Sequence, residues 1–304
     1  MMAINKFFRF TLMIFLLFPA YTFGDSIEEY GFSILTIGTS PSIVGKGEAI
    51  SAGYGDATVF WYNPAAPLLS SSSNFCASHT GYIFDLNIEH ASVSIQGERR
   101  SYGLGMTYLD YGKIDKYNDN GQPTGEYHPV DIVIGGNFAH RFSSALYGGV
   151  NLKIVGEKID TDNSMGAGVD VGILYDTPII GLNFAAVVQN IGFSGEMNSE
   201  RIEFPRTYKI GLGYVHHFAS QSFAALMMDL VKSVGIDNPR LNLGLEYGFA
   251  EIAYTRLGYK INYDEHDFTA GIGIKLNDFH FDYAFVPYSS GLGSVHMISV
   301  AYDF

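Results

Sequence analysis

The sequence predicts an all-β chain, a fourteen-stranded antiparallel barrel crossing a membrane with an N-terminal segment folded inside it. Three observations carry this. From about residue 74 the chain runs in period-2 segments bounded by Gly, Pro, Asn and Asp. Fourteen such segments are present, each of roughly 7–13 residues, near the length a tilted spanning strand needs. Their connections alternate between tight and long, as they do in barrels with short turns on one side of a membrane and longer loops on the other.

Composition agrees and excludes other classes. Of 304 residues, 18 are Lys or Arg and 31 Asp or Glu, a formal net charge of -13. Gly occurs 35 times, aromatics make up 15% and charged residues only 16%. The chain is too aromatic for disorder and too poor in Lys and Arg for a nucleic-acid binder. Its single cysteine, Cys76, leaves no disulfide framework and no multi-thiolate metal site.

Residues 1–24 read as a cleaved export signal, with Lys6 and Arg9 ahead of an apolar run from Phe10 to Phe18 and small residues at Thr22 and Gly24. Beyond it no segment offers 18 consecutive apolar residues, so crossing must be by a closed sheet that satisfies every backbone group. Residues 25–73 lack alternation, are rich in Gly and Ser, and have a compact centre at Val59–Pro67. An apolar segment of that length ahead of a barrel needs burial, and the lumen is where it is expected, as a hatch.

Residues 74–304 are the barrel. Segments begin near Asn74, Ile88, Ser101, Val130, Ala145, Met165, Gly181, Arg206, Ser222, Arg240, Ile252, Asp267, Asp278 and Gly293. The last is the clearest, with Ile298, Val300, Tyr302 and Phe304 alternating with Ser299, Ala301 and Asp303. Short connections are expected at Phe142–Ser144, Thr177–Ile180, Ala219–Gln221 and Asn277. Long ones are expected at Asp110–Pro129, Gly192–Pro205, Lys232–Pro239 and Asn262–His266, with a long connection after every odd strand. Both termini then lie on the periplasmic side.

A Lys or Arg on the lipid face near mid-membrane costs roughly 2–4 kcal/mol. That places Lys153, Arg256 and Lys275 inside, with Asp131, Asp170, Glu246 and Asp282 as their neighbours in a charge-paired lumen. Within the hatch, Asn63, Pro64 and Ala65 are the candidate gating residues. Pro fixes φ and removes a donor, while Asn satisfies stray backbone groups.

Other motifs dissolve on inspection. Ser40–Gly47 contains Gly45-Lys46 but lacks both the first Gly and the Ser/Thr of a phosphate loop. Asp115–Gly121 puts Lys116 at the first ligand position of a calcium loop and reads as an external turn. His216 and His217 are adjacent in a strand and point to opposite faces. No catalytic grouping stands out, so no enzyme, metal or cofactor is expected.

Beyond these features, residues 30–304 resemble the PorV/PorQ-type outer-membrane proteins, relatives of the FadL long-chain fatty-acid transporters. The resemblance rests on Gly38-Thr39-Ser40, then Trp61-Tyr62-Asn63-Pro64-Ala65-Ala66, Val188-Gln189-Asn190-Ile191-Gly192, Leu243-Gly244-Leu245-Glu246-Tyr247, Arg256-Leu257-Gly258-Tyr259 and a closing Phe304. It departs from the family at Ala66-Pro67, where Gly usually follows Asn-Pro-Ala, and at Ser299, where the C-terminal assembly signal often has Gly. The resemblance implies a fourteen-stranded barrel with an internal hatch, placed among outer-membrane lipids by the barrel-assembly machinery. It implies passive uptake of long-chain fatty acids or other hydrophobic molecules, which leave laterally through the wall. The alternative it carries is a barrel serving protein secretion or surface display, for which the long acidic loop Asp110–Pro129 would dock a protein partner.

Overall fold

Glycine or a polar residue at one position and an aliphatic or aromatic residue at the next give each strand one small or polar face and one apolar face. Only a closed sheet with the polar faces inward lets lipid meet the apolar ones. The computed structural model describes residues 31–197, 200, 201, 203–218 and 221–304. The export signal read at residues 1–24 lies outside them.

Fourteen strands form the barrel. The first seven are β1 (Asn74–Gly81), β2 (Asn87–Gln96), β3 (Arg100–Asp110), β4 (Val130–Arg141), β5 (Leu146–Ile159), β6 (Asp162–Asp176) and β7 (Leu182–Ser194). The remainder are β8 (Thr207–His217), β9 (Phe223–Ser233), β10 (Arg240–Phe249), β11 (Ala253–Ile261), β12 (Phe268–Leu276), β13 (Phe279–Pro287) and β14 (Ser294–Asp303). Each pairs antiparallel with its neighbours in sequence, and β1 closes the sheet on β14 from Asn74 opposite Asp303 to Gly81 opposite His296.

Most strands start within a residue of where the alternation places them. β6 begins at Asp162, three residues before the expected Met165, and this goes with a correction to the pattern of connections. A long loop after every odd strand is not what occurs, because β5 and β6 meet through Asp160 and Thr161 alone. Their 14 and 15 residues extend the sheet instead of leaving it, and Asp160 takes the positive φ of 51° that so tight a turn requires. The long loop after β3 is itself ordered, with Ile114–Tyr117 laddered on Pro123–Tyr127.

The outward face carries a broad apolar band. Leu152, Ile154, Leu245, Leu257, Ile272 and Ile298 are exposed there, a pattern expected only for a wall facing hydrocarbon. At the end bearing the short turns, Phe279 packs on Tyr302 at 4.8 Å and Tyr302 on Phe304 at 6.2 Å, part of an interfacial aromatic girdle. Among the described residues no helix is long and apolar enough to cross a membrane. The molecule crosses by its strands.

Residues 31–73 form short turns, at Ser33–Thr36, Pro41–Val44, Ala57–Trp61 and Ala66–Leu69. They touch inward-facing residues around nearly the whole circumference. Ser51 meets Asp229 on β9, Trp61 meets Ser92 on β2, and Phe60 and Pro64 meet Asn151 and Asn137 on β5 and β4. Gly47 meets Thr269 on β12. A segment in reach of all these strands at once lies within the lumen.

Candidate functional site

The lumen is built where the segment's backbone approaches the wall. Gly47 has a φ of 63° and its amide donates to Thr269 Oγ1 at 3.0 Å. A Cβ on Gly258 of β11 would strike the Gly47 backbone, so glycine faces glycine across this contact. Its neighbours carry charge in opposite directions. Lys46 pairs with Glu246 at 3.1 Å, and Glu246 also accepts from Arg256 at 2.6 Å, whose guanidinium reaches Asp282 at 2.5 Å. Glu48 pairs with Lys260 at 2.5 Å.

Asp56 organises the segment itself. One carboxylate oxygen accepts from Ser40 and Ser42, at 2.7 and 2.8 Å, and the other caps the turn at Thr58 N at 2.8 Å. Asp229, on the wall, accepts from the Ile50 and Ser51 amides and the Ser51 hydroxyl.

Of the three residues expected to gate, Asn63 is fully buried. It donates to Ser51 O at 2.6 Å and accepts from Ala65 N at 2.9 Å, tying two stretches of the segment together. Its amide lies on Gly172 of β6, where a Cβ would collide with Oδ1. Pro64 presents its carbonyl to Asn137 Nδ2 at 3.0 Å. Ala65 packs with Leu68, Ala139, Tyr147 and Leu174.

The seven charged residues expected inside all lie on inward positions, six of them in three groups. Glu246, Arg256 and Asp282 form the chain just described. Lys153 and Asp170 pair at 2.8 Å, beside a polar ladder running Asn137, Asn151, Asp170. Lys275 pairs with Asp303 at 3.0 Å, at the rim near the C-terminus. Asp131 departs from the charge-paired arrangement: it accepts from the Tyr111 hydroxyl at 2.9 Å and has no cation within ion-pair distance among the described residues.

Asp170 also marks a break in the wall. The β6–β7 register slips between Val169 and Val171, leaving Asn190 bulged at a φ of 60°. The Asn190 amide donates to Asp170 at 2.8 Å and its side chain takes up Lys153 and Pro205 O.

Towards the end with the longer connections lies a cavity of about 430 Å³. Ile34, Ile37, Val133, Val231, Val286 and Met297 supply its apolar wall. Of its cations, Lys153 and Lys260 are paired, while Arg240 stacks over Tyr263 at 4.4 Å. Lys209, on β8, makes no hydrogen bond or ion pair among the described residues; its ammonium stands 5.6 Å over the Tyr62 ring. At the mouth, burial and then the Lys260 ammonium push the His266 imidazole down to about 4, so it accepts from Lys260 Nζ at 3.1 Å as the neutral ring.

Sequence reading did not single out Lys46, Glu48, Asp56, Lys209, Asp229 or Lys260. Lys260 was within reach of it, standing four residues after Arg256 on the same face of β11, and Lys209 shares the inward face of β8 with Gly211. The partners in the segment follow no period and gave no such signal.

No family model and no curated protein matches the chain. Solved structures resemble it in fold. The Ralstonia pickettii toluene transporter TbuX is 13% identical with a TM-score of 0.59, covering 88% of this chain and 98% of its own. The CymD monoaromatic hydrocarbon channel is 15% identical with a TM-score of 0.63, covering 90% and 99%. A Pseudomonas aeruginosa FadL homologue is 11% identical with a TM-score of 0.50, covering 88% and 98%. At these identities the likeness is one of fold, a closed fourteen-stranded barrel of the FadL type.

Proposed function

We propose that this chain is an outer-membrane channel for passive uptake of hydrophobic molecules carrying an acidic head, with long-chain fatty acids as the type of cargo. Residues 1–24 direct export and residues 25–73 act as the hatch, with Asn63, Pro64 and Ala65 as its gating residues. The observation that carries the reading is Lys209, a cation that makes no ion pair or hydrogen bond among the described residues, in a cavity that also offers an aliphatic wall at Val231, Val286 and Met297. A cation held partly out of water favours a partner, and a carboxylate brought in on an acyl chain supplies it while the chain meets the aliphatic wall. The similar barrels named for toluene and monoaromatic hydrocarbons support a hydrophobic cargo; Lys209 is the reason for an acidic one.

The test compares palmitate with its methyl ester on the purified barrel and on Lys209→Met. A charge-assisted hydrogen bond is worth about 1.5–3 kcal/mol, so Lys209→Met should weaken palmitate binding by roughly 10- to 100-fold. Ester binding should hardly change. Palmitate bound equally well by both proteins overturns the assignment of Lys209, and a barrel that binds neither ligand favours the secretion or surface-display reading.

A further inference from the structure

The apolar band is not equally tall all round the barrel. Counted from the short-turn end, each strand residue adds about 2.5 Å of height, from a rise of about 3.3 Å and a tilt of about 40°. Met165 stands eleven residues above Asp176 on β6, and Phe193 eleven above Leu182 on β7. Both are well exposed, at 65% and 72%. Apolar side chains on that side therefore reach a height of about 27 Å, the full span of a hydrocarbon band of about 25 Å.

The side where β14 closes on β1 breaks off lower. β1, β13 and β14 have 8, 9 and 10 residues against 14 and 15 in β5 and β6. His79 stands five residues above Asn74 on β1, Glu89 seven above Gln96 on β2, and His296 seven above Asp303 on β14. All three take outward positions, at heights of about 12–17 Å, where β6 and β7 still present apolar side chains. His79 Nδ1 meets Glu89 Oε1 at 2.6 Å, yet the two side chains stay 47% and 57% exposed. His296 is hydrogen-bonded through Nδ1 to the Tyr283 hydroxyl of β13 at 2.7 Å and through Nε2 to Ser294 Oγ at 3.0 Å. Below these residues the outward positions of β2 and β14 are apolar again, at Val93, Ile95, Ile298 and Val300. A carboxylate more than half exposed on such a face is costly in hydrocarbon even with one hydrogen bond made.

We propose that the strip His296, His79 and Glu89 is a docking surface for the lipid headgroups of the leaflet on the long-connection side. The headgroups dip to meet it, so that the bilayer is thinner along β14, β1 and β2 than along β6 and β7 by on the order of 10 Å. The partner is the headgroup layer itself, whose ammonium groups, phosphates and water satisfy a carboxylate and two imidazoles as acyl chains do not. The strip is a single row, offers groups that meet both signs of charge, and follows the upper edge of the apolar band beside short strands. That is the outline of a lipid boundary and not of a broad protein interface. The inference needs only the membrane-spanning barrel and holds for any cargo.

The test puts one nitroxide on either side of the full chain, refolded into vesicles of phosphatidylethanolamine and phosphatidylglycerol. Cys76→Ala removes the only native thiol, and the label is attached at Ile298→Cys, opposite His79, or at Leu152→Cys on β5. These positions stand five residues above Asp303 and six above Leu146, so a bilayer of even thickness holds both near its middle. The label at 298 should collide with a water-soluble nickel chelate, relative to oxygen, at least about threefold more often than the label at 152. Replacing the strip by His79→Leu, Glu89→Leu and His296→Leu together should carry the label at 298 to the depth of the label at 152. Heat-modifiable migration on gels shows whether that variant has folded, and if it has not, the comparison of 298 with 152 in the intact strip decides. Equal depths at the two positions overturn the proposal, as does a folded triple variant whose label stays shallow. A label at 298 shielded from both nickel and oxygen overturns it too, because a protein and not a lipid surface then covers the strip.

Discussion

Asn63 shows how much of the internal segment hangs on single side chains. Its amide donates to Ser51 O and its carbonyl accepts from Ala65 N, both far from solvent. Asn63→Ala leaves a buried donor and a buried acceptor without partners, at about 1–3 kcal/mol each. The strand ladders are untouched, so the variant should assemble and keep its heat-modifiable migration on gels. Residues 31–73 should become cleavable by added protease, and uptake of a hydrophobic ligand should fall at equal abundance. Unchanged protection of the segment would show that the two bonds do not hold it. Pro64 differs from Asn63 in that its carbonyl accepts from Asn137 Nδ2 at 3.0 Å.

Strands and segment are fitted to each other through glycine, and this can be read one element at a time. On β6, a Cβ at Gly172 would collide with Asn63 Oδ1 and come within 2.8 Å of Pro64, whereas on β4 a Cβ at outward-facing Gly136 meets nothing closer than 3.9 Å. Gly172→Val should therefore displace the segment, giving protease sensitivity like that of Asn63→Ala, and Gly136→Val should not. Equal behaviour of the two would mean that the segment does not rest on the β6 face. The contrast also explains what the sequence made legible. Strand positions follow from alternation, which is local, so Ile298 to Phe304 announced β14 and its lipid face directly. The β5–β6 hairpin escaped because Asp160 and Thr161 look like the start of a loop while Asp162–Ser164 continue a ladder that only the partner strand reveals. The contacts of the segment join residues such as Ser51 and Asp229, or Glu48 and Lys260, across about two hundred positions with no period linking them. Paired charge inside was readable from the cost of charge in lipid, but the segment's own share of it, Lys46 and Glu48, was not.

At the scale of the molecule the barrel is inverted relative to a water-soluble one, and the inversion makes a quantitative claim about depth. Glu246, Arg256 and Asp282 are buried in mutual contact inside, while Leu245, Leu257 and Phe281 of the same strands are exposed outside. Water would penalise that outer surface, and hydrocarbon does not. A cation added to it should then be costly in proportion to its distance from headgroups. Ile272 is mid-strand on β12 and Phe249 is the last residue of β10, at the short-turn end. Ile272→Arg should lower folding stability in bilayers by about 2–4 kcal/mol and Phe249→Arg by about 0–1 kcal/mol. Reversible denaturant unfolding in thin-bilayer vesicles reads both. The steep difference cannot come from lost packing, because both side chains are exposed and Phe249 gives up the larger one. Equal costs at the two positions would remove the hydrocarbon band from this surface.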